Sequence, residues 1–194
     1  MNLTPLSIAG LYLLESPTWP DDRGSFREWF RRSDLDGAQL RFDLHQANLS
    51  ISRRNVVRGL HYSLAPEGQA KVVTCAHGDL VDVIVDVREG SPTFSRVEIV
   101  ELSSERGLSV FVPAGVAHGF CVTSEMAALS YLLSSSFNAA AELEINPFDT
   151  SLAVPWPLSG PAVVSEKDRA APTLAERRAA GQLPRFVNGF AESE

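Results

Sequence analysis

Cysteine is nearly absent: Cys75 and Cys121 are the only two in 194 residues. They share no C-x-x-C spacing, so nothing points to a thiolate metal site or a dithiol redox centre. Both stand in apolar surroundings, VVTCAHG and HGFCVTS, and are read as buried, inert thiols rather than a disulfide. Blocks of lysine or arginine are missing too, and the formal net charge is −7. A broad electrostatic hold on nucleic acid is therefore not expected, and an anionic ligand must be small and gripped by a few chosen cations. No apolar run reaches the roughly 20 residues that cross a bilayer. The opening MNLTPLSIAG lacks the basic segment and sustained apolar core of a signal peptide, so the expectation is a cytoplasmic protein without membrane partners. G-x-S-x-G and a glycine-rich phosphate loop are absent as well, which leaves no recognisable serine-nucleophile or phosphate-cradle motif.

What is present is a chain with 44% hydrophobic and 21% charged residues, a balance that suits one globular domain over residues 1–194. From about residue 46 to 135, short runs of Val, Leu, Ile and Phe alternate with Gly, Pro, Ser and Asn. That pattern predicts antiparallel β structure. In DLVDVIVDV (79–87), Val81, Val83, Val85 and Val87 share one face, while Leu80, Asp82, Ile84 and Asp86 share the other. The second face mixes acids with apolar groups, as the wall of a cavity would. AKVVTCA, FSRVEIVEL, LSVFVPA, HGFCVTS and AALSYLL supply further strands, and their spacing favours a sandwich or barrel. Helical signal is peripheral: a turn at 33–37, and a short helix in PTLAERRAAGQL ending near Gly181. VVSEKDRAAP reads as a charged loop.

The chemistry-bearing stretch is VVRGLHYSLAPEGQAK (56–71). His61 within it has three readings: metal ligand, satisfied core histidine, or base. His118 in PAGVAH resembles the second motif of the cupins, but the first cupin motif supplies two histidines and a glutamate, and HYSLAPEGQ offers one histidine. With histidines only at 45, 61, 77 and 118, spacing argues against a metal site. Strand parity expects His61 on the side of Val57, Gly59 and Ser63, with Gly59 clearing room beside the imidazole. Arg58 and Lys71 are available to an anion. Tyr131, on a face with Ala127, Leu129 and Leu133, reads alone as a core aromatic, and Lys167 and Asp168 alone as a solvated turn. Together, a histidine, a carboxylate, a lysine and a tyrosine form a proton-transfer set. Acid–base chemistry without a cofactor is the leading reading; a metal-dependent cupin enzyme and a non-catalytic small-molecule binding protein remain alternatives.

The ordered motifs DDRGSFREWF, QANLS, VVRGLHYS with QAK, GDLVDVIVDVREGSPTF, VPAGVAHGF, SYLLSSSF and SEKDRAAPTL resemble those of the dTDP-4-dehydrorhamnose 3,5-epimerases and their relatives in antibiotic deoxysugar pathways. The resemblance runs from about residue 5 to 185. It implies an all-β, cupin-like jelly-roll barrel with short peripheral helices at the C-terminal end, working as a homodimer without metal or organic cofactor. The implied reaction inverts C3, C5 or both in a dTDP-4-keto-6-deoxy-hexose. By the same resemblance His61 is the base, Asp168 orients it, Tyr131 is the acid on the opposite face, and Lys71 faces the enolate. His118 falls on a second pocket histidine, with Asp82 as its expected partner. Arg58 and Arg23 match diphosphate contacts; Glu28, Gln46 and Asn48 match nucleotide contacts; Glu142 and Lys167 fall on further binding positions. The segment with Arg23, Phe26 and Glu28 is expected to reach a neighbouring subunit's pocket. Phe137 stands where the family commonly stacks a tyrosine on thymine, and Ser63 where a glutamine often follows, a change expected to reshape the sugar pocket.

Overall fold

The computed structural model describes residues 1–64 and 68–187. Four short strands open the chain: β1 (Asn2–Pro5), β2 (Tyr12–Glu15), β3 (Thr18–Asp21) and β4 (Gly24–Arg27), followed by helix α1 (Arg32–Gly37). The alternating region then forms β5 (Gln46–Arg53), β6 (Val57–Ser63), β7 (Lys71–His77), β8 (Asp79–Val85), β9 (Val97–Ser103), β10 (Leu108–Val112), β11 (Ala117–Val122) and β12 (Met126–Leu133). A three-residue strand, β13 (Glu142–Glu144), and helices α2 (Glu166–Arg169) and α3 (Leu174–Ala179) complete it. Segment 166–169, read from sequence as a charged loop, is one helical turn; the Ser165 side chain accepts the Asp168 N–H as its N-cap.

Two antiparallel sheets face each other. One has the order β1-β2-β10-β7-β12-β5, the other β13-β6-β11-β8-β9, and β3-β4 stand apart as a hairpin. The period-2 pattern explains the layering. Val73, Val110 and Leu129 from the first sheet meet Leu80, Ile84, Phe120 and Val122 from the second in the inter-sheet core. The four valines of β8 and its extension, together with Leu60 and Tyr62, turn outward and are covered by Ile145, Leu152, Leu174 and Leu183 of the C-terminal segment. On the outside of the other sheet, Val72, Phe111 and Leu132 are covered by Leu35 of α1 and by Phe42. Each fully buried valine or leucine contributes about 1.5–3 kcal/mol relative to exposure, so both sheets have reason to keep their outer coats.

The inter-sheet space is apolar at one end and polar at the other, and one irregularity decides which β6 side chains enter it. His118 pairs with His61 and Phe120 with Arg58, so Gly59 and Leu60 together stand opposite Gly119. This extra residue is a β-bulge. It shifts the parity, so that Arg58 and His61 point to the same side and Val57 to the other. The parity expectation that grouped His61 with Val57 and Gly59 is therefore corrected. Gly59 is required for a different reason than ligand clearance: at φ +118° a Cβ there would lie 2.6 Å from Gly119 Cα and 2.8 Å from the His118 carbonyl.

Candidate active site

The polar end of the sandwich is a cavity of about 280 Å³. Its walls follow from strand register. On one sheet, Glu144, His61 and His118 form a row across β13, β6 and β11, and directly paired residues point to one side. On the other sheet, Lys71 pairs with Leu133, and Tyr131 pairs with both Val73 and Asn48. His61 and Tyr131 thus enter one cavity from facing sheets.

His61 Nε2 lies 2.7 Å from Asp168 Oδ1. An ionised carboxylate only accepts, so Nε2 carries the proton and Nδ1 keeps a lone pair. Asp168 itself is buried and takes a second, long hydrogen bond from the Gly59 N–H at 3.4 Å. Burial opposes its ionisation, but His61, the Gly59 amide and Ser165 outweigh that, and the carboxyl is held below its ordinary range. His118 Nε2 is bound in the same manner to Asp82 Oδ1 at 2.6 Å; the pairing expected from the sequence is present. Asp82 is fully buried, and its Oδ2 has no hydrogen-bond partner among the described residues.

Lys71 sits between these pairs. Its side chain is buried and its Nζ donates to the His61 carbonyl at 3.4 Å. Burial pushes its pKa below the ordinary lysine value, and Glu142 and Asp82 pull it partly back. Its amine stands in the cavity wall, where low-dielectric surroundings strengthen the field of any charge it carries.

Asn48, Arg58, Phe137, Glu142 and Lys167 also line the cavity. Gln46 does not: it accepts the Phe137 N–H at 2.8 Å and donates to Asn48 Oδ1 at 2.8 Å, so it seats the ring that does. Ser63 lines a neighbouring hollow with Leu64, Gly68 and Arg88 rather than this cavity. Arg23, Phe26 and Glu28 are outside the cavity. Arg23 bonds Asp21 within the hairpin turn, Glu28 meets Arg31, and Phe26 stacks on Trp19 with centroids 6.0 Å apart.

Sequence reading missed Gln69, Phe120, Leu133 and Glu144, all of which line the cavity. Parity was the available signal: Gln69 is two residues from Lys71, Leu133 two from Tyr131, Phe120 two from His118 and Glu144 two from Glu142. Among the described residues no group of three or more His, Cys, Asp or Glu side chains is placed to hold a metal. His45 and His77 are exposed on the surface. Cys75 and Cys121 are free and buried, and burial pushes both thiols up to about 11. No helix among the described residues is long and apolar enough to cross a membrane.

Two facing antiparallel sheets with a polar, titratable cavity at one end of their interior make this an all-β, cupin-like jelly roll. A sequence profile described as dTDP-4-dehydrorhamnose 3,5-epimerase matches residues 5–176. The chain is 42% identical over 190 residues to a dTDP-4-dehydrorhamnose 3-epimerase of Streptomyces niveus, covering 96% of this chain and 90% of that one. It is 41% identical over 186 residues to a dTDP-4-dehydrorhamnose 3,5-epimerase of Streptomyces griseus, covering 95% and 92%. Among solved structures, it superposes with a TM-score of 0.92, at 41% identity and 96% and 94% coverage, on NovW, a 4-keto-6-deoxy sugar epimerase from the novobiocin biosynthetic gene cluster of Streptomyces spheroides. The chain belongs to the dTDP-4-dehydrorhamnose 3,5-epimerase family and is a dTDP-sugar epimerase.

Proposed function

We propose that this chain, as one domain, inverts C3, C5 or both in a dTDP-4-keto-6-deoxy-hexose by moving protons between His61 and Tyr131. The 4-keto group acidifies the C–H bonds on both flanking carbons. His61 Nδ1 takes the proton, the C–H electron pair moves onto the carbonyl oxygen, and the Lys71 ammonium stabilises the enolate. The Tyr131 hydroxyl then delivers a proton to the carbon from the other face, the carbonyl reforms, and solvent restores both side chains. Asp168 holds the imidazole tautomer and stabilises the imidazolium. A fixed charge facing the enolate lowers the barrier by about 3–4 kcal/mol, and the acid and base together by roughly 10²–10⁴-fold in rate. The observation that carries this reading is the entry of His61 and Tyr131 into one cavity from facing sheets.

Arg58, Asn48, Glu142 and Lys167 bind the sugar nucleotide, and the exposed Phe137 ring stacks on the base. The active form is a homodimer in which the β3–β4 hairpin delivers Arg23, Phe26 and Glu28 to the partner's cavity. Support comes from exposed apolar surface: Phe26, stacked on the exposed Trp19, is 68% exposed, and β5 is an open sheet edge carrying exposed Leu49 and Ile51. The two unpaired thiols fit work in the reducing cytoplasm.

The test is an NMR time course on the keto-sugar nucleotide in deuterated water. Deuterium enters C3, C5 or both with inverted product, and His61→Ala abolishes it; retained exchange in that variant removes His61 as the base. Mixing His61→Ala with Arg23→Ala protein tests the hairpin. A hairpin shared between subunits rebuilds one intact site per mixed dimer and restores activity, whereas a hairpin serving its own chain restores none.

A further inference from the structure

Glu144 is a half-buried carboxylate for which no role in proton transfer or nucleotide binding has been given above, yet it stands directly across the strand from His61. Its side chain is 13% exposed and carries two cations from two different helices. Lys167 Nζ of α2 lies 2.8 Å from Oε2, and Arg177 of α3 lies 3.5 Å from Oε1 while its Nε donates to the Glu144 backbone carbonyl at 2.9 Å. The Lys167 contact is ionic without hydrogen-bond alignment, since Oε2 finds no aligned donor among the described residues. Arg177 is anchored in turn on Gln182 Oε1 at 2.7 Å.

The residue next to Lys167 is Asp168. Helix α2 has four residues, too few to be stable alone, so its position depends on what ties it down. Those ties are the Ser165 cap, the Asn146 side chain on the Arg169 carbonyl, the Asp168 carboxylate on Gly59 and His61, and Lys167 on Glu144. Of these, the Glu144 tie alone starts from the strand neighbouring His61 and ends one residue from its carboxylate.

We propose that Glu144 is a positioning residue for the proton-transfer site: through Lys167 it holds α2 so that Asp168 stays seated on His61. This rests on the epimerase reading for its kinetic consequence, though not for its structural one. Lys167 accordingly serves two masters, the cavity wall and the Glu144 tie, and its contribution to turnover is coupled to Glu144.

Glu144→Gln keeps the shape and removes the charge; Lys167→Met, on a side chain 65% exposed, breaks the same tie with little risk to folding. In each, kcat is expected to fall roughly 10-fold, as loss of an outer-shell partner does, and the double variant to lose no more kcat than the worse single one. The low-field proton resonance of His61 Nε2–H, identified by its loss in His61→Asn, is expected to broaden or vanish in both singles, with assays run well below each melting temperature. An unchanged resonance and kcat in Glu144→Gln, or kcat losses that multiply in the double variant, overturn the proposal. Should the unsubstituted protein fail to turn over the keto-sugar, the epimerase reading falls, while the resonance still decides the role of Glu144.

Discussion

The two histidine–carboxylate pairs lie side by side on β6 and β11, yet they are built differently. His61 is 41% exposed, and its carboxylate comes from a one-turn helix 107 residues along the chain. His118 is 7% exposed, and its carboxylate comes from the neighbouring strand with no exposure at all. A ring open to the cavity can exchange protons with a ligand and with water; a ring sealed against a fully buried carboxylate is costly to disturb. The same two residue types therefore suit opposite tasks, proton transfer in the first pair and a fixed polar wall in the second.

The sharpest way to break this comparison is to remove each ring. His61→Ala is expected to lose about 10²–10⁴-fold in kcat/KM with a smaller loss of stability than His118→Ala, because the emptied ring position opens Asp168 to the cavity and its Gly59 N–H bond remains. His118→Ala is expected to lose about 1.5–3 kcal/mol of stability, because a buried carboxylate loses its donor. Urea titrations of the two proteins with matched stability losses would erase the distinction. Tyr131→Phe comes next: inverted product falls roughly 10²-fold, while deuterium exchange that His61 catalyses from its own face persists in the recovered substrate.

Lys71→Met sharpens the comparison from between the pairs. Turnover drops on the order of 10²-fold, yet the variant resists denaturant better than its parent at neutral pH. The sign follows from the depressed folded pKa of Lys71: the unfolded chain binds that proton more readily, so parent stability rises as pH climbs towards the ordinary 10.5. The methionine variant lacks that contribution to the slope. The smallest expected effect concerns Asp168, whose folded pKa lies below the ordinary 3.8. Its stabilising contribution is present above 3.8 and is lost as pH falls through the folded value. The parent therefore exceeds Asp168→Asn by about 1 kcal/mol at pH 6, and unfolding curves repeated towards pH 3 show the gap closing.

Strands β7 to β12 were legible because runs rich in Val, Leu, Ile and Phe, bounded by turn residues, supply the buried layers of the sandwich. The opening strands were not, since β1 and β3 contain Pro5 and Pro20 and are largely exposed, leaving no apolar period to read. Strand β13 is three half-buried residues, ELE, too short for any period. His61, Lys71, Tyr131 and Asp168 carried their signal in residue type and in a motif order resembling a known family. Parity with Glu142 could have put Glu144 in the cavity wall, but its ties come from register and distant helices: the imidazole across the strand and two cations from α2 and α3. The bulge at Gly59 and Leu60 was hidden for a related reason: the three-residue spacing of Arg58 and His61 breaks the period of a plain strand, but where the extra residue sits shows only against Gly119.

The sandwich gap has a stereochemical consequence. Packed sheets stand about 10 Å apart, which leaves room for one flat ring between groups projecting from either side, and here an imidazole hangs from one jaw and a phenol from the other. Under the proposed mechanism, a proton taken by the imidazole and replaced by the phenol arrives on the opposite face of the carbon, so inversion follows from which sheet carries each group.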